Sequence, residues 1–189
     1  MRFRRGSELH PYRIKNALLL PFRQAYARLN PVGYARMIGV NIQGHVTIFG
    51  SAYNMFSSEP YLVTLHDNVF VSVGVQFICH DGGVLPFRRQ HPTLDIAAPI
   101  IVNRNCFIGA GALILRGVTI GENCIVGANA VVTRDVPDGM IVGGNPARPI
   151  KTTDEYVKAA LSRSLGIGHL YGEVKHREYR RIFRVGEDT

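Results

Sequence analysis

The most regular feature of the sequence is an apolar position that returns every six residues. From Ile96 onward, hexads are headed by Ile96, Val102, Ile108, Ile114, Ile120, Val126 and Val132, all β-branched aliphatics. Four residues after each head stand Ile100, Cys106, Ala112, Val118, Cys124, Ala130 and Val136, none of them polar. The residue directly after the head is Asn103, Gly109, Gly121 or Gly127 in four of the seven hexads. Neither the 3.6-residue period of a helix nor the alternation of a simple strand generates this pattern. It predicts an all-β solenoid in which each hexad supplies a short strand and a corner, and three hexads close one triangular coil. Heads eighteen apart, such as Ile108 and Val126, then stack at the ~4.8 Å spacing of neighbouring strands. β-Branched heads suit extended backbone and fill the interior. Gly and Asn near the corners accept backbone angles that a Cβ disfavours.

The same period runs more weakly upstream. Leu65, Val71 and Phe77 head hexads with Val69 and Val75 at the inner second position, and Ile42 and Ile48 continue it with Val46 and Ala52. Residues 53–64 and 80–95 break the period. The second break reads as a loop thrown out of one face, and loops on rigid scaffolds often carry function. Beyond the hexads, His10–Leu29 has helical spacing stopped by Asn30-Pro31, and Thr153–Leu165 and Val174–Phe183 read as two further helices. Such segments are suited to covering the open ends of a coil, where unpaired strand edges would otherwise be exposed. The chain therefore divides into an N-terminal helical cap (1–37), a β-solenoid (38–150) and a C-terminal helical tail (151–189).

Composition narrows the class. At 189 residues and 46% hydrophobic content the chain can bury a core and is too apolar for wholesale disorder. Apolar runs such as Ala17–Phe22 fall far short of the ~20 residues of a spanning helix. No apolar stretch follows the basic start Met1-Arg2-Phe3-Arg4-Arg5 as a secretory leader requires, and three cysteines are too few for a disulfide scaffold. A cytoplasmic protein is expected. The net charge of +8 gathers in residues 1–36 and 163–184. Such charge suits an anionic ligand, nucleic acid or a membrane face. No recognised nucleic-acid motif is present and the basic ends flank the hexads, so no nucleic-acid partner is expected. The basic N-terminal segment is suited either to contact with an anionic membrane surface or simply to solubilising the cap.

Four stretches carry a resemblance: Phe56-Ser57-Ser58-Glu59-Pro60-Tyr61-Leu62, Phe77-Ile78-Cys79-His80-Asp81-Gly82-Gly83, Gly117-Val118-Thr119-Ile120-Gly121 and Gly143-Gly144-Asn145-Pro146-Ala147-Arg148. Over about Ile38 to Lys151 the sequence resembles the hexapeptide-repeat acyltransferases. It looks closest to the sugar O-acetyltransferases, among them galactoside, maltose and capsular polysaccharide acetyltransferases. The resemblance implies a left-handed parallel β-helix, a homotrimer, acetyl-CoA as acyl donor and a saccharide hydroxyl as acceptor. Transfer to an amino sugar is the alternative, because the donor site and base would look alike.

A sugar hydroxyl attacks a thioester well only as its proton is removed, and a neutral histidine can take that proton near pH 7. His80 opens the large loop where the family places its catalytic histidine, and direct transfer without an acyl-enzyme is expected. His91, in the same loop, is the alternative base or an acceptor contact. Asp81 can orient the imidazole or hold the Gly82-Gly83 turn. By resemblance Glu59 and, more weakly, Asn54 contact the acceptor; otherwise Glu59 is a solvated carboxylate. Cys79 invites a nucleophile reading, but neighbours on extended chain point to opposite faces, which makes it a buried wall residue. Cys106 and Cys124 occupy equivalent inward positions one coil apart, expected as reduced thiols. The family's pattern sets Ala110 and Ala128 along the pantetheine arm, Thr133 and Arg134 beside the pyrophosphate, and Arg148 with Lys151 near the 3′-phosphate; arginine forks suit phosphate oxygens. The Ala110 amide is also a candidate to hold the thioester oxyanion. Zinc carbonic anhydrases use the same scaffold, but the position five after His80 is Leu85 rather than histidine. No metal is expected, although His66, His80 and His91 could still meet in space.

Overall fold

The computed structural model describes residues 11–185. The chain visits three sheets in rotation. Strands β1 (Asn41–Ile42) and β2 (Val46–Ile48) enter the first and second; β3 (Val63–Leu65), β4 (Val69–Val71) and β5 (Gln76–Ile78) enter the first, second and third. The order repeats with β6 (Ile100–Val102), β7 (Phe107–Ile108) and β8 (Leu113–Leu115), then with β9 (Thr119–Ile120), β10 (Ile125–Val126) and β11 (Val131–Val132), and β12 (Met140–Gly143) returns to the second sheet. Isolated bridges from Phe56 to Phe77 and from Ile120 to Val136 occupy the two steps at which no strand forms. All of these pairings are parallel. Val102 lies beside Ile120, Ile108 beside Val126 and Ile114 beside Val132, the eighteen-residue stacking that the hexads predict. Across the inserted loop, Leu65 faces Val102, Val71 faces Ile108 and Phe77 faces Ile114.

The hexad heads fill a shared apolar interior: Leu65, Val71, Phe77, Val102, Ile108, Ile114, Ile120 and Val126 are fully buried, as are Ala112, Cys124 and Ala130 at the second inner position. Ile96 departs from its expected place. It is 39% exposed and belongs to the loop, where its carbonyl accepts the Asp81 N–H. The upstream break also ends earlier than residue 64, because Val63 and Thr64 already pair in the first sheet.

The corners correct the expected role of the residue after each head. Left-handed backbone falls instead on the third residue after the head, at Asn68, Gly74, Asn105, Gly111, Gly117, Asn123 and Asn129. Three of these asparagines form a ladder: Asn68 Nδ2 donates to Asn105 Oδ1 (2.9 Å) and Asn105 Nδ2 to Asn123 Oδ1 (3.0 Å). Gly109, directly after its head, has ordinary φ and is small for another reason. A Cβ there would stand 2.6 Å from the Ala128 nitrogen and 2.7 Å from the Val126 carbonyl oxygen of the next coil. Gly109→Ala is expected to destabilise by about 1–3 kcal/mol, as forced overpacking does; thermal unfolding followed by far-UV circular dichroism measures it.

The edges are covered. Helix α1 (Pro11–Leu29) is followed by α2 (Pro31–Met37), with the Asn30 side chain capping the Gly33 N–H at 2.9 Å and Pro31 in the first turn. Asn30-Pro31 thus ends one helix and starts another. Tyr34 and Ala35 are buried, and the Ala52 N–H donates to the carbonyl of buried Ala27 at 3.1 Å, which seats the helices on the first strands. At the other end β13 (Arg148–Thr152) pairs antiparallel with β12 and covers that sheet edge. The turn between them holds a cis Asn145–Pro146 bond. Contacts divide the chain into two compact units after Thr153. The second carries all but the first residue of α3 (Thr153–Leu161), shorter than the spacing predicts, and α4 (Gly172–Phe183), on which Glu173 pairs with Arg180 and Glu178 with Arg181. His10 and the basic start Met1–Arg5 lie outside the described residues.

Candidate active site

The loop of residues 80–95 leaves the third sheet just after β5. At its neck the Ala98 N–H donates to the Cys79 carbonyl and the Asp81 N–H to the Ile96 carbonyl, both at 2.9 Å, and His80 bridges Ala97 in antiparallel fashion. His80 is therefore fixed by backbone pairing at the root of the loop. A second segment is brought beside it by the preceding coil. The Phe56 ring stacks on Phe77 at 5.3 Å, the Ser57 N–H donates to the Phe77 carbonyl (3.1 Å), and the Cys79 N–H donates to Ser57 Oγ (3.2 Å). Glu59 follows, braced by the Leu62 N–H on its carbonyl at 3.0 Å.

These contacts bring two side chains together. His80 Nδ1 lies 2.8 Å from Glu59 Oε2, and Ser57 Oγ donates to the same oxygen at 3.3 Å. A carboxylate can only accept, so the imidazole places its proton on Nδ1 and, when neutral, keeps a lone pair on Nε2. The imidazole is 38% exposed and Glu59 23%, enough for the ring to reach solvent while the carboxylate stays partly shielded. The pair opens on a cleft of about 440 Å³, bordered also by Ser58, Tyr61, Leu85 and Arg88.

Asp81 does not touch the imidazole. Its Oδ1 accepts the Gly83 N–H at 2.9 Å, and its Oδ2 pairs with Arg116 at 2.8 Å. Of the two placements open to Asp81 the structure shows the turn, and the side chain hydrogen-bonded to the imidazole is Glu59. His91 is exposed and lies outside the His80 cleft. Asn54 borders a neighbouring cleft with Arg23, Tyr53, Ser57 and Ser58. Among the described residues no three His, Cys, Asp or Glu side chains stand close enough to hold a metal ion, so His66 and His91 do not join His80. Cys79 is buried against the wall. Burial, aided by the Glu59 carboxylate, pushes its thiol above the ordinary range, against the opposing effect of the Ser57 hydrogen bond. Such a shift keeps the thiol protonated and weakens it as a nucleophile. Cys106 and Cys124 are likewise free and buried, and hydrogen bonding with Cys124 together with burial pushes the Cys106 thiol up.

The residues assigned to the acyl donor fall at three other places. Ala110 and Ala128 each sit two residues past a head, at the step from the second sheet to the third. Their amide N–H groups donate to no acceptor among the described residues, while the Ala110 carbonyl accepts from Asn129 at 2.8 Å. Thr133 and Arg134 are exposed beyond β11, at the step from the third sheet to the first. Arg148 is exposed at the start of β13, with Lys151 further along the strand. Sequence reasoning missed Arg116 and Ser57. The signal for Arg116 lay in the register: β5 and β8 pair Ile78 with Leu115, so the next step sets Arg116 beside the neck of the loop.

Residues 99–134 match the family described as hexapeptide repeat of succinyl-transferase. Over 129 residues the chain is 45% identical to protein CapG of Staphylococcus aureus, covering 68% of this chain and 75% of that protein. The chain belongs to the hexapeptide-repeat acyltransferase family. This acyltransferase is also 48% identical over 60 residues to a 2,3,4,5-tetrahydropyridine-2,6-dicarboxylate N-acetyltransferase of Clostridium perfringens, spanning 32% of the acyltransferase and 25% of that enzyme. Among solved structures it is similar to AntD, an N-acyltransferase from Bacillus cereus in complex with dTDP and 3-hydroxybutyryl-CoA. The TM-score is 0.50 at 23% identity over 64% of the acyltransferase and 70% of AntD, a likeness of fold.

Proposed function

We propose that this acyltransferase moves an acetyl group from acetyl-CoA to a saccharide hydroxyl, with His80 as general base. The observation that carries this reading is the 2.8 Å pairing of His80 Nδ1 with Glu59 at the mouth of an open cleft. Nε2 takes the hydroxyl proton as the sugar oxygen bonds to the thioester carbonyl carbon. The tetrahedral intermediate then expels the CoA thiolate, and the imidazolium returns the proton to sulfur. Glu59 keeps the ring in the right tautomer and stabilises the imidazolium, the role a third group plays in a triad.

The three sheets, in this reading, are the walls of a left-handed parallel β-helix that assembles as a homotrimer. The free amides of Ala110 and Ala128 lie along one corner and His80 at the next, with the third sheet between them. Two copies would then supply the two halves of each site, the amides of one along the pantetheine arm and the imidazole of the other at its sulfur end. Thr133, Arg134, Arg148 and Lys151 would meet the phosphates, as cationic and hydroxyl groups suit them. No helix among the described residues is long and apolar enough to cross a membrane, and the three free thiols fit a reducing, cytoplasmic setting.

A second reading is transfer to an amino sugar; the 48% identity to an N-acetyltransferase over 60 residues supports its acylation of nitrogen, not the sugar. A screen of CoA release over hydroxyl and amino sugars tests both, since an O-acetyl product is cleaved by hydroxylamine and an N-acetyl product is not. Release with neither class would defeat the proposal. Glu59→Ala is expected to lower kcat roughly 10²-fold, the lower end of what an acid–base contribution is worth. Combined with His80→Ala it should add little, because the two side chains act as a unit.

A further inference from the structure

The cleft beside His80 does not end there. Ser58 borders both it and a second cleft of about 450 Å³, formed where α1 and α2 approach residues 53–60. Both volumes fall in the usual range of small-molecule sites. The walls of the second cleft are mainly polar, with Tyr53, Asn54, Ser57 and Ser58 on one side and Arg23 on the other.

Arg23 is partly withdrawn from solvent, on the helix α1. The arginine that lines the His80 cleft has its carboxylate, Arg88 pairing with Asp95 at 2.6 Å, and Arg116 near the loop neck pairs with Asp81 at 2.8 Å. Arg23 has no carboxylate partner among the described residues. Half-buried cations are normally paired, because desolvation is otherwise uncompensated. A planar guanidinium fork among hydroxyl and amide groups is suited to a carboxylate or a phosphate oxygen pair. A third cleft continues from Tyr53 and Asn54 to Arg28, so the same path carries a second cation away from His80.

We infer that Arg23 is a binding residue for an anionic group, carboxylate or phosphate, borne by the acceptor one unit away from the hydroxyl that is acylated. This rests on the reading of His80 as the reacting end. The acceptor lies across Ser58, with its reacting hydroxyl at His80 and its negative group at Arg23. A neutral sugar of the same size offers Arg23 no charge to pair with.

The test compares matched acceptors in the CoA-release assay. Disaccharides that end in glucuronate serve against their glucose counterparts for the carboxylate arm, and UDP-glucose against glucose for the phosphate arm. Wild type is expected to favour the charged member in one arm by roughly 10- to 100-fold in kcat/KM, the worth of a hydrogen bond to a charged group. Arg23→Gln should erase that preference through KM, leave kcat and the neutral acceptor unchanged, and be rescued by Arg23→Lys in part. Arg36→Gln, whose side chain is exposed on α2 and lines none of these clefts, controls for overall charge. Equal use of charged and neutral acceptors by wild type, or an equal effect of Arg36→Gln, overturns the inference. If no acceptor turns over, the reading of His80 fails, and binding decides separately. The same glucuronate disaccharide and UDP-glucose are titrated against His80→Ala, followed by tyrosine fluorescence. With no tryptophan in the chain, Tyr34 and Tyr53 of the cleft can report directly. Saturable binding lost in Arg23→Gln keeps the site; no binding removes it.

Discussion

His80→Ala is expected to lower kcat by roughly 10²- to 10⁴-fold, the usual contribution of a positioned acid–base group, with little change in KM for the acyl donor. The reasoning is geometric. The backbone of residues 79–81 is pinned to residues 96–98 at the neck of the loop, and that pairing uses no imidazole atom. The variant should therefore fold as wild type does and lose only the ring. What disappears is the Nε2 lone pair that Glu59 keeps available by holding the proton on Nδ1. His91→Ala serves as the control within the same loop. It lies outside the His80 cleft, and its loss should leave kcat nearly intact. Steady-state kinetics with purified variants, with folding checked by circular dichroism, measures both. A His80→Ala enzyme as fast as wild type would remove the histidine from the chemistry.

The largest effect on stability is expected at Phe77. Its side chain is fully buried, stacks on Phe56 at 5.3 Å with rings 8° from parallel, and stands beside Ile114 in the third sheet. Truncation to alanine removes a full aromatic payload from a closely packed interior, which costs about 3–5 kcal/mol. Phe77→Leu, closer in volume, should cost clearly less. The two substitutions also separate stability from positioning. The Phe77 carbonyl accepts the Ser57 N–H, and its strand leads directly to His80, so looser packing here shifts Glu59 relative to the imidazole. Chemical denaturation gives the stability difference, and residual activity below the unfolding transition gives the positional one. A Phe77→Ala protein as stable as wild type would mean that the stacked pair adds nothing to the core.

The three parallel sheets and their eighteen-residue register are legible in the sequence because the period is carried by burial. From Val102 to Val132 every head lies on an inner wall, and Ile108 pairs with Val126 as the spacing requires. The corners were legible only in part. Asparagine and glycine were read one position after the head, where glycine answers to the close approach of the next coil. The left-handed positions two residues later went unnoticed because Asn68, Asn105, Asn123 and Asn129 look like ordinary polar surface. Ile96 was misread because a loop can return to the coil in register with an apolar residue at the right count. At the candidate site, local sequence singles out His80 at the loop neck and allows the Asp81 turn that the structure shows. The partnership with Glu59 was hidden because it crosses 21 residues and the irregular stretch before β3, where no period predicts which side chains meet. The Arg116–Asp81 pair is similarly non-local, visible only once the strands are aligned.

The most direct measurement is the crystal structure of the full chain with coenzyme A bound. The coenzyme sulfur is expected within hydrogen-bond reach of His80 Nε2, roughly 3–3.5 Å away, with the pantetheine arm running past the amides of Ala110 and Ala128 of an adjoining copy. A coenzyme sulfur held elsewhere, with Nε2 of His80 turned from it, would contradict the account.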